Sequence, residues 1–333
     1  MTTNFSNDSF IGGAEDSHTS SYAMPEISLS SAARFWVILI FEIPSIICSL
    51  VLLYYFCFDR TLRQCLNNHV FTILLIVGLF SQTIDIPNIL TFFRLGHVWP
   101  QTPLNCYVWW FVGTANFNII GMLMAWASFE RHILVFHNQW LNTQKKRIFI
   151  HYIPLTTIVL YSFIFYTICI FFLPCENIFD YTQGWCLFPC FLFAYNILLL
   201  YDTLINGVLP SLLISVFNIL LFIRVIKQKQ RLRQQIQWKK YRRMIIQLMS
   251  CSALFLLFNL PLKAFAVAYA FGLPYGTTGQ FELFIYFISN FTTLWMPFVC
   301  LGSSPEIWLK IKETVRIPHY TTTITPQTLQ TAR

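Results

Sequence analysis

Seven predominantly apolar stretches recur along this 333-residue chain, at roughly 33–58, 70–93, 105–130, 148–174, 203–227, 244–271 and 282–303. A helix rising about 1.5 Å per residue needs about 20 apolar residues to cross about 30 Å of hydrocarbon, and each stretch is long enough. Leucine, isoleucine, phenylalanine and valine fill them without the ten-residue alternating pattern of membrane barrel strands. The sequence therefore predicts an all-α, integral membrane bundle of seven transmembrane helices. Only 11% of residues are charged, against about 25% in an ordinary globular domain, so there is too little polar surface for a water-facing coat. The same balance excludes intrinsic disorder. The apolar run between Gly184 and Arg224 exceeds one span, and 185–201 reads as an ordered outer loop leading into the fifth helix. The expected division is a tail over 1–32, the seven-helix domain over 33–303, and an amphipathic helix with a tail over 304–333.

Lysine and arginine set the orientation, because cytoplasmic loops retain positive charge. With the N-terminus outside, 19 of the 22 basic residues fall in inner segments, nine of them between Arg224 and Arg243. Topology thus accounts for the net charge of +8, and no nucleic-acid partner is called for. Residues 1–31 carry four acids and no Lys or Arg, and they lack the apolar core of a cleavable signal peptide. Asn4 and Asn7 each begin an Asn-x-Ser sequon in this tail and are the glycosylation candidates.

Of ten cysteines, Cys106, Cys175, Cys186 and Cys190 fall on the outer side. An even number in an oxidising compartment suits two disulfides, whereas zinc finds no histidine beside the loop cysteines. No metal or cofactor is implied. Hydrolase and phosphate-loop motifs are missing, so no enzymatic activity is expected. His69, His97, His137 and His151 lie near span ends and read as interfacial packing. Charges inside a bilayer are costly and mark function, which singles out Glu42, Asp85 and Lys263, all in the outer half of their helices. Asp202 and Glu282 would extend that group. Trp109, Trp110, Phe111, Tyr286 and Trp295 supply aromatic lining.

Cys106 opens the third stretch and Glu130-Arg131-His132 closes it, with 25 residues from Cys106 to Arg131. This spacing resembles the rhodopsin-like class of G-protein-coupled receptors, whose third helix starts at a disulfide cysteine and ends at a Glu/Asp-Arg-Tyr motif. Trp99, seven residues before Cys106, is similar to the tryptophan of that family's first outer loop. Pro87, Pro210, Pro261 and Pro297 match its prolines on helices two, five, six and seven, and Phe255 matches the aromatic six residues before the helix-six proline. The resemblance covers about residues 33–312. Departures are equally specific: Gly78 replaces the helix-two aspartate, Asn259 the helix-six tryptophan, and Met296-Pro297-Phe298-Val299-Cys300 the Asn-Pro-x-x-Tyr of helix seven. Gly113 stands at the amine-receptor aspartate and Asn290 at the opsin lysine.

The resemblance implies a receptor at the plasma membrane, N-terminus outside, that binds an unknown extracellular ligand in the outer half of the bundle. Glu42, Asp85, Trp109, Lys263 and Tyr286 are the pocket candidates. It implies a disulfide from Cys106 to Cys186 or Cys190, with Cys175 taking the other cysteine. It further implies activation of a heterotrimeric G protein through movement of helix six, with Glu130, Arg131, His132, Phe255, Pro261 and Pro297 as coupling and switch residues. In the closed state Arg131 is expected to pair with Glu130. The helix-six acid that reinforces that state in the family is replaced by Tyr241. On the segment from Pro305 to Lys312, Ile307, Trp308 and Ile311 share one helical face, which suits a helix lying on membrane lipid. The alternative is a polytopic transporter or channel, which would need internal repeats or broken helices around a midplane site.

Overall fold

A computed structural model describes residues 29–136, 143–231, 235–273 and 279–315. Seven of its helices are long and apolar enough to cross a membrane: α1 (Ser31–Phe58), α2 (Asn68–Leu95), α3 (Pro103–Leu134), α4 (Gln144–Phe172), α5 (Asn196–Arg224), α6 (Ile245–Ala270) and α7 (Leu283–Gly302). A shorter helix, α8 (Pro305–Val315), follows. No strand occurs among the described residues. The chain is a multi-pass membrane protein with an all-α, seven-helix bundle. Asn4 and Asn7 lie outside the described residues.

Burial shows how the bundle is arranged. Two thirds of the apolar window of α3 is buried (67%), against 28% for α4, so α3 runs through the middle and α4 lies at the periphery. Peripheral helices keep their aliphatic side chains on the outside; Ile40, Ile43, Ile47 and Leu50 of α1 are all exposed. Such a face suits hydrocarbon, where association relies on close packing and hydrogen bonds between helices rather than on escape from water.

Those hydrogen bonds form a polar layer through the bundle. Ser45 of α1 donates to the Leu294 carbonyl of α7 at 2.7 Å, and Gln82 of α2 donates to Ser45 Oγ at 2.5 Å. Asn259 of α6 donates to Thr292 Oγ1 of α7 at 2.7 Å. Asn116 of α3 donates to Ser81 of α2 at 3.2 Å.

Proline leaves local marks. It lacks an N–H and cannot close the usual helical ring, and α2 widens into a π turn at Ser81–Asp85 just before Pro87. A second π turn, Asp202–Val208, precedes Pro210 in α5. Each π turn rotates the following side chains relative to a regular helix, and each contains an aspartate. The fifth helix also starts earlier than the sequence suggests. A short helix at Phe191–Ala194 and a break at extended Tyr195 lead directly into Asn196–Tyr201, so the last part of the expected loop over 185–201 is helical. Its apolar run Ile197–Leu200 continues the helix without a Gly or Pro to stop it.

All four outer cysteines are paired. Cys106 bonds to Cys186 and Cys175 to Cys190, with Cα separations of 5.9 and 6.0 Å. At the opposite end, Asp59 accepts from the Thr61 and Leu62 amides at 2.9 and 3.1 Å and pairs with Lys310 of α8. The Lys310 hydrogen bond, followed by those from Thr61 and Leu62, holds the Asp59 carboxyl well below the usual carboxylate range.

Candidate functional site

The disulfide end of the bundle holds two separate polar groups. The first joins α1, α2 and α3. Asp85 leaves the π turn of α2 and accepts a hydrogen bond from Trp109 Nε1 of α3 at 2.6 Å. Glu42 of α1 is 4% exposed, and neither of its carboxylate oxygens has a hydrogen-bond partner. A Cβ on Gly113 would stand 3.6 Å from Asp85 Oδ1 and 3.9 Å from Trp185 Cη2. The missing side chain therefore leaves the space in which indole and carboxylate approach each other.

Trp185 reaches that space from the loop between α4 and α5. Trp185, Cys186 and Leu187 have φ of 61°, 51° and 72°, a left-handed run that non-glycine residues seldom adopt. The run is tied at Cys186 by the disulfide to α3, and Trp110 Nε1 donates to the carbonyls of Trp185 at 2.5 Å and Leu187 at 3.1 Å. The Trp185 ring then lies 5.7 Å from Tyr286 of α7 and 6.3 Å from Trp109. Sequence reasoning passed over Trp185, because nothing in a single loop tryptophan shows that a strained turn will direct it inward.

The second group joins α3, α4, α5 and α6. Lys263 donates to Asn118 Oδ1 at 3.2 Å and lies 4.3 Å above the Phe117 ring. Asn118 Nδ2 donates to Tyr166 Oη at 2.5 Å, and Tyr166 in turn donates to Asp202. Asn206 donates to the same aspartate at 2.9 Å and accepts from Tyr161 at 2.9 Å. Among the described residues no hydrogen bond or ion pair links this chain to Glu42 or Asp85. The five pocket candidates are therefore split: Asp85, Trp109 and Tyr286 gather around Trp185 with Glu42 close by, and Lys263 belongs to the other network.

At the opposite end, Arg131 is 1% exposed. Its guanidinium faces the Phe71 ring of α2 at 5.9 Å, and Nη1 has no hydrogen-bond partner. The expected pairing with Glu130 is not the one formed. Glu130 is bound instead by His151 Nδ1 of α4, and His151 Nε2 lies 3.1 Å from His69 Nδ1 of α2. His69 Nε2 reaches the Arg63 carbonyl at 2.8 Å. Consecutive residues on a helix point in different directions, so Glu130 and Arg131 serve different neighbours. His69 and His151 are thus links between helices, beyond the packing role expected of them. His132 contacts the Phe217 carbonyl of α5 at 2.8 Å.

Between the two ends, Phe255 of α6 is buried against α3, and a Cβ on Gly121 would stand 3.1 Å from its Cζ. Pro261 and Pro297 sit inside α6 and α7, the helices on which they were expected.

No family model matches the sequence, and no curated protein matches it. Among solved structures, the crystal structure of squid rhodopsin superposes with a TM-score of 0.65 at 15% identity, covering 87% of each chain. The chain has a rhodopsin-like seven-helix fold.

Proposed function

We propose that this chain is a G-protein-coupled receptor of the plasma membrane, with its N-terminus outside, that binds an extracellular ligand at the disulfide end. Ligand binding releases a movement of α6 about Pro261, which opens the opposite end to a heterotrimeric G protein. One observation carries this reading: Arg131 ends the central helix of a rhodopsin-like bundle buried, with a guanidinium nitrogen that has no hydrogen-bond acceptor. A buried cation without full pairing is unfavourable, and an arriving helix with carbonyl groups at its end satisfies it once α6 moves aside. The disulfides support the orientation, since they form in an oxidising compartment. The inner surface then carries the basic residues expected of cytoplasmic loops. Asn4 and Asn7 become glycosylation acceptors in this topology, and α8 lies along the inner leaflet.

The test is ligand-independent G-protein activation in cells expressing wild type or Arg131→Ala at equal surface density, across the main G-protein classes. Coupling free energies of about 1–3 kcal/mol predict a basal signal that falls by about fivefold or more in the variant. Equal signal from the two would refute the role of Arg131, and no signal above vector in any class would refute ligand-independent coupling.

A further inference from the structure

Glu42 and Asp85 lie at one level of the bundle because of how α1 and α2 pair. The two helices run antiparallel, and Gln82 of α2 donates to Ser45 of α1 at 2.5 Å. Ser49, one turn further toward the Arg131 end, donates to Gln82 Oε1 at 3.3 Å. One turn the other way, toward the disulfide end, α1 carries Glu42 and α2 carries Asp85. The two carboxylates therefore share a level just beyond the Ser45–Gln82 bond.

Both acids are more than nine-tenths buried, at 4% and 8% exposure. Asp85 has one donor, the Trp109 indole, and Glu42 has none. Among the described residues no basic side chain pairs with either. Arg34, two turns nearer the end of α1, lies over the Phe93 ring at 5.9 Å. Lys263 is engaged by Asn118 and Phe117. Two carboxylates enclosed at one level of an apolar bundle are costly in their ionised form, and an accompanying cation offsets that cost.

The surroundings define what kind of cation. A Cβ at Gly113 would lie 3.6 Å from Asp85 Oδ1 and 3.9 Å from Trp185 Cη2, and the Trp185 ring stands 6.3 Å from Trp109 and 5.7 Å from Tyr286. Aromatic faces attract organic cations. A hard metal ion takes six or more oxygen ligands, and no group of three or more candidate metal ligands exists among the described residues.

Resting on the reading of this chain as a receptor, we propose that Glu42 and Asp85 hold the ammonium group of a primary or secondary amine. The ammonium donates to both carboxylates, and the apolar body of the amine lies against Trp109 and Trp185. Glu42 is the acceptor that no protein donor serves, and the ammonium supplies that donor. The position differs from Gly113, where an aspartate would stand in an amine receptor of the resembling family.

The test uses full-length protein purified into lipid nanodiscs and followed by thermal unfolding. Titration with 2-phenylethylammonium chloride should raise the unfolding temperature saturably, while 2-phenylethanol and an equal concentration of sodium chloride should not. Glu42→Gln and Asp85→Asn should each weaken the effect by about tenfold or more, as expected when a hydrogen bond to a charged group is lost. Glu42→Gln should unfold no lower than wild type without amine, because it removes the unpartnered carboxylate. The proposal is overturned if the amine leaves wild type unchanged, if the alcohol acts equally, or if the shift survives in both variants. Binding needs no G protein, so amine binding without nucleotide exchange would sink the coupling and leave this site standing. Exchange without amine binding would do the reverse.

Discussion

Gly121 and Phe255 show how much a single residue decides in this bundle. The Phe255 ring is 2% exposed and fills the space where Gly121 lacks a side chain. A methyl group placed 3.1 Å from Cζ forces the ring or α6 to shift, and overpacking of this kind costs about 1–3 kcal/mol. Gly121→Ala should therefore lower the unfolding temperature, and adding Phe255→Leu should recover part of the loss, since contacting residues couple by about 0.5–3 kcal/mol. Strictly additive losses in the double variant would show that the two do not press on one another. Phe255 could be singled out from sequence by its distance to Pro261. Gly121 could not, because a glycine in a helix reveals its role only when the facing helix is known.

At the scale of elements, the links that hold helices together were the least legible. Glu130 and Arg131 are neighbours in sequence, which invites pairing, yet Glu130 goes to His151, 21 residues away, and His151 goes on to His69, 82 residues away. Pairs at such separations carry no local pattern. Removing the His151 imidazole leaves a carboxylate with 2% side-chain exposure unpartnered, at a cost of about 1–3 kcal/mol. His151→Phe is expected to lower stability by that amount, and Glu130→Gln in the same background to restore part of it. A double variant less stable than His151→Phe alone would contradict the link. The disulfides were half legible: four outer cysteines implied two bonds, while the family resemblance pointed to Cys106 and left two partners. Cys106–Cys186 spans 80 residues and Cys175–Cys190 spans 15. In the chain-entropy account these stabilise by about 4.5 and about 3 kcal/mol respectively. Replacing the first pair with serine should therefore reduce surface expression more than replacing the second, as read by flow cytometry. The opposite order would mean that native-state contacts of the loop dominate.

For the whole molecule, the seven-helix architecture was legible because apolar length is a physical requirement of the bilayer, and the chain meets it seven times. The π turns at Ser81–Asp85 and Asp202–Val208 were not legible, although each stands before a proline and each contains an aspartate. The expected pocket divides into a Glu42/Asp85 group and a Lys263/Asp202 group, which belong to different sets of helices. The proposed orientation rests on the 19 of 22 basic residues assigned to one side. An epitope at residue 10 should be labelled on intact cells and one at residue 330 only after permeabilisation; labelling of both on intact cells would exclude the proposed topology.

The central claim is that this bundle drives nucleotide exchange on a G protein through Arg131. Purified protein in nanodiscs, mixed with purified heterotrimers of each class, tests it without cellular intermediaries. Wild type should accelerate guanine-nucleotide exchange on at least one class, and Arg131→Ala should reduce that acceleration by about fivefold or more at a temperature where both proteins remain folded. No acceleration by well-folded wild type, or equal acceleration by Arg131→Ala, would contradict the account.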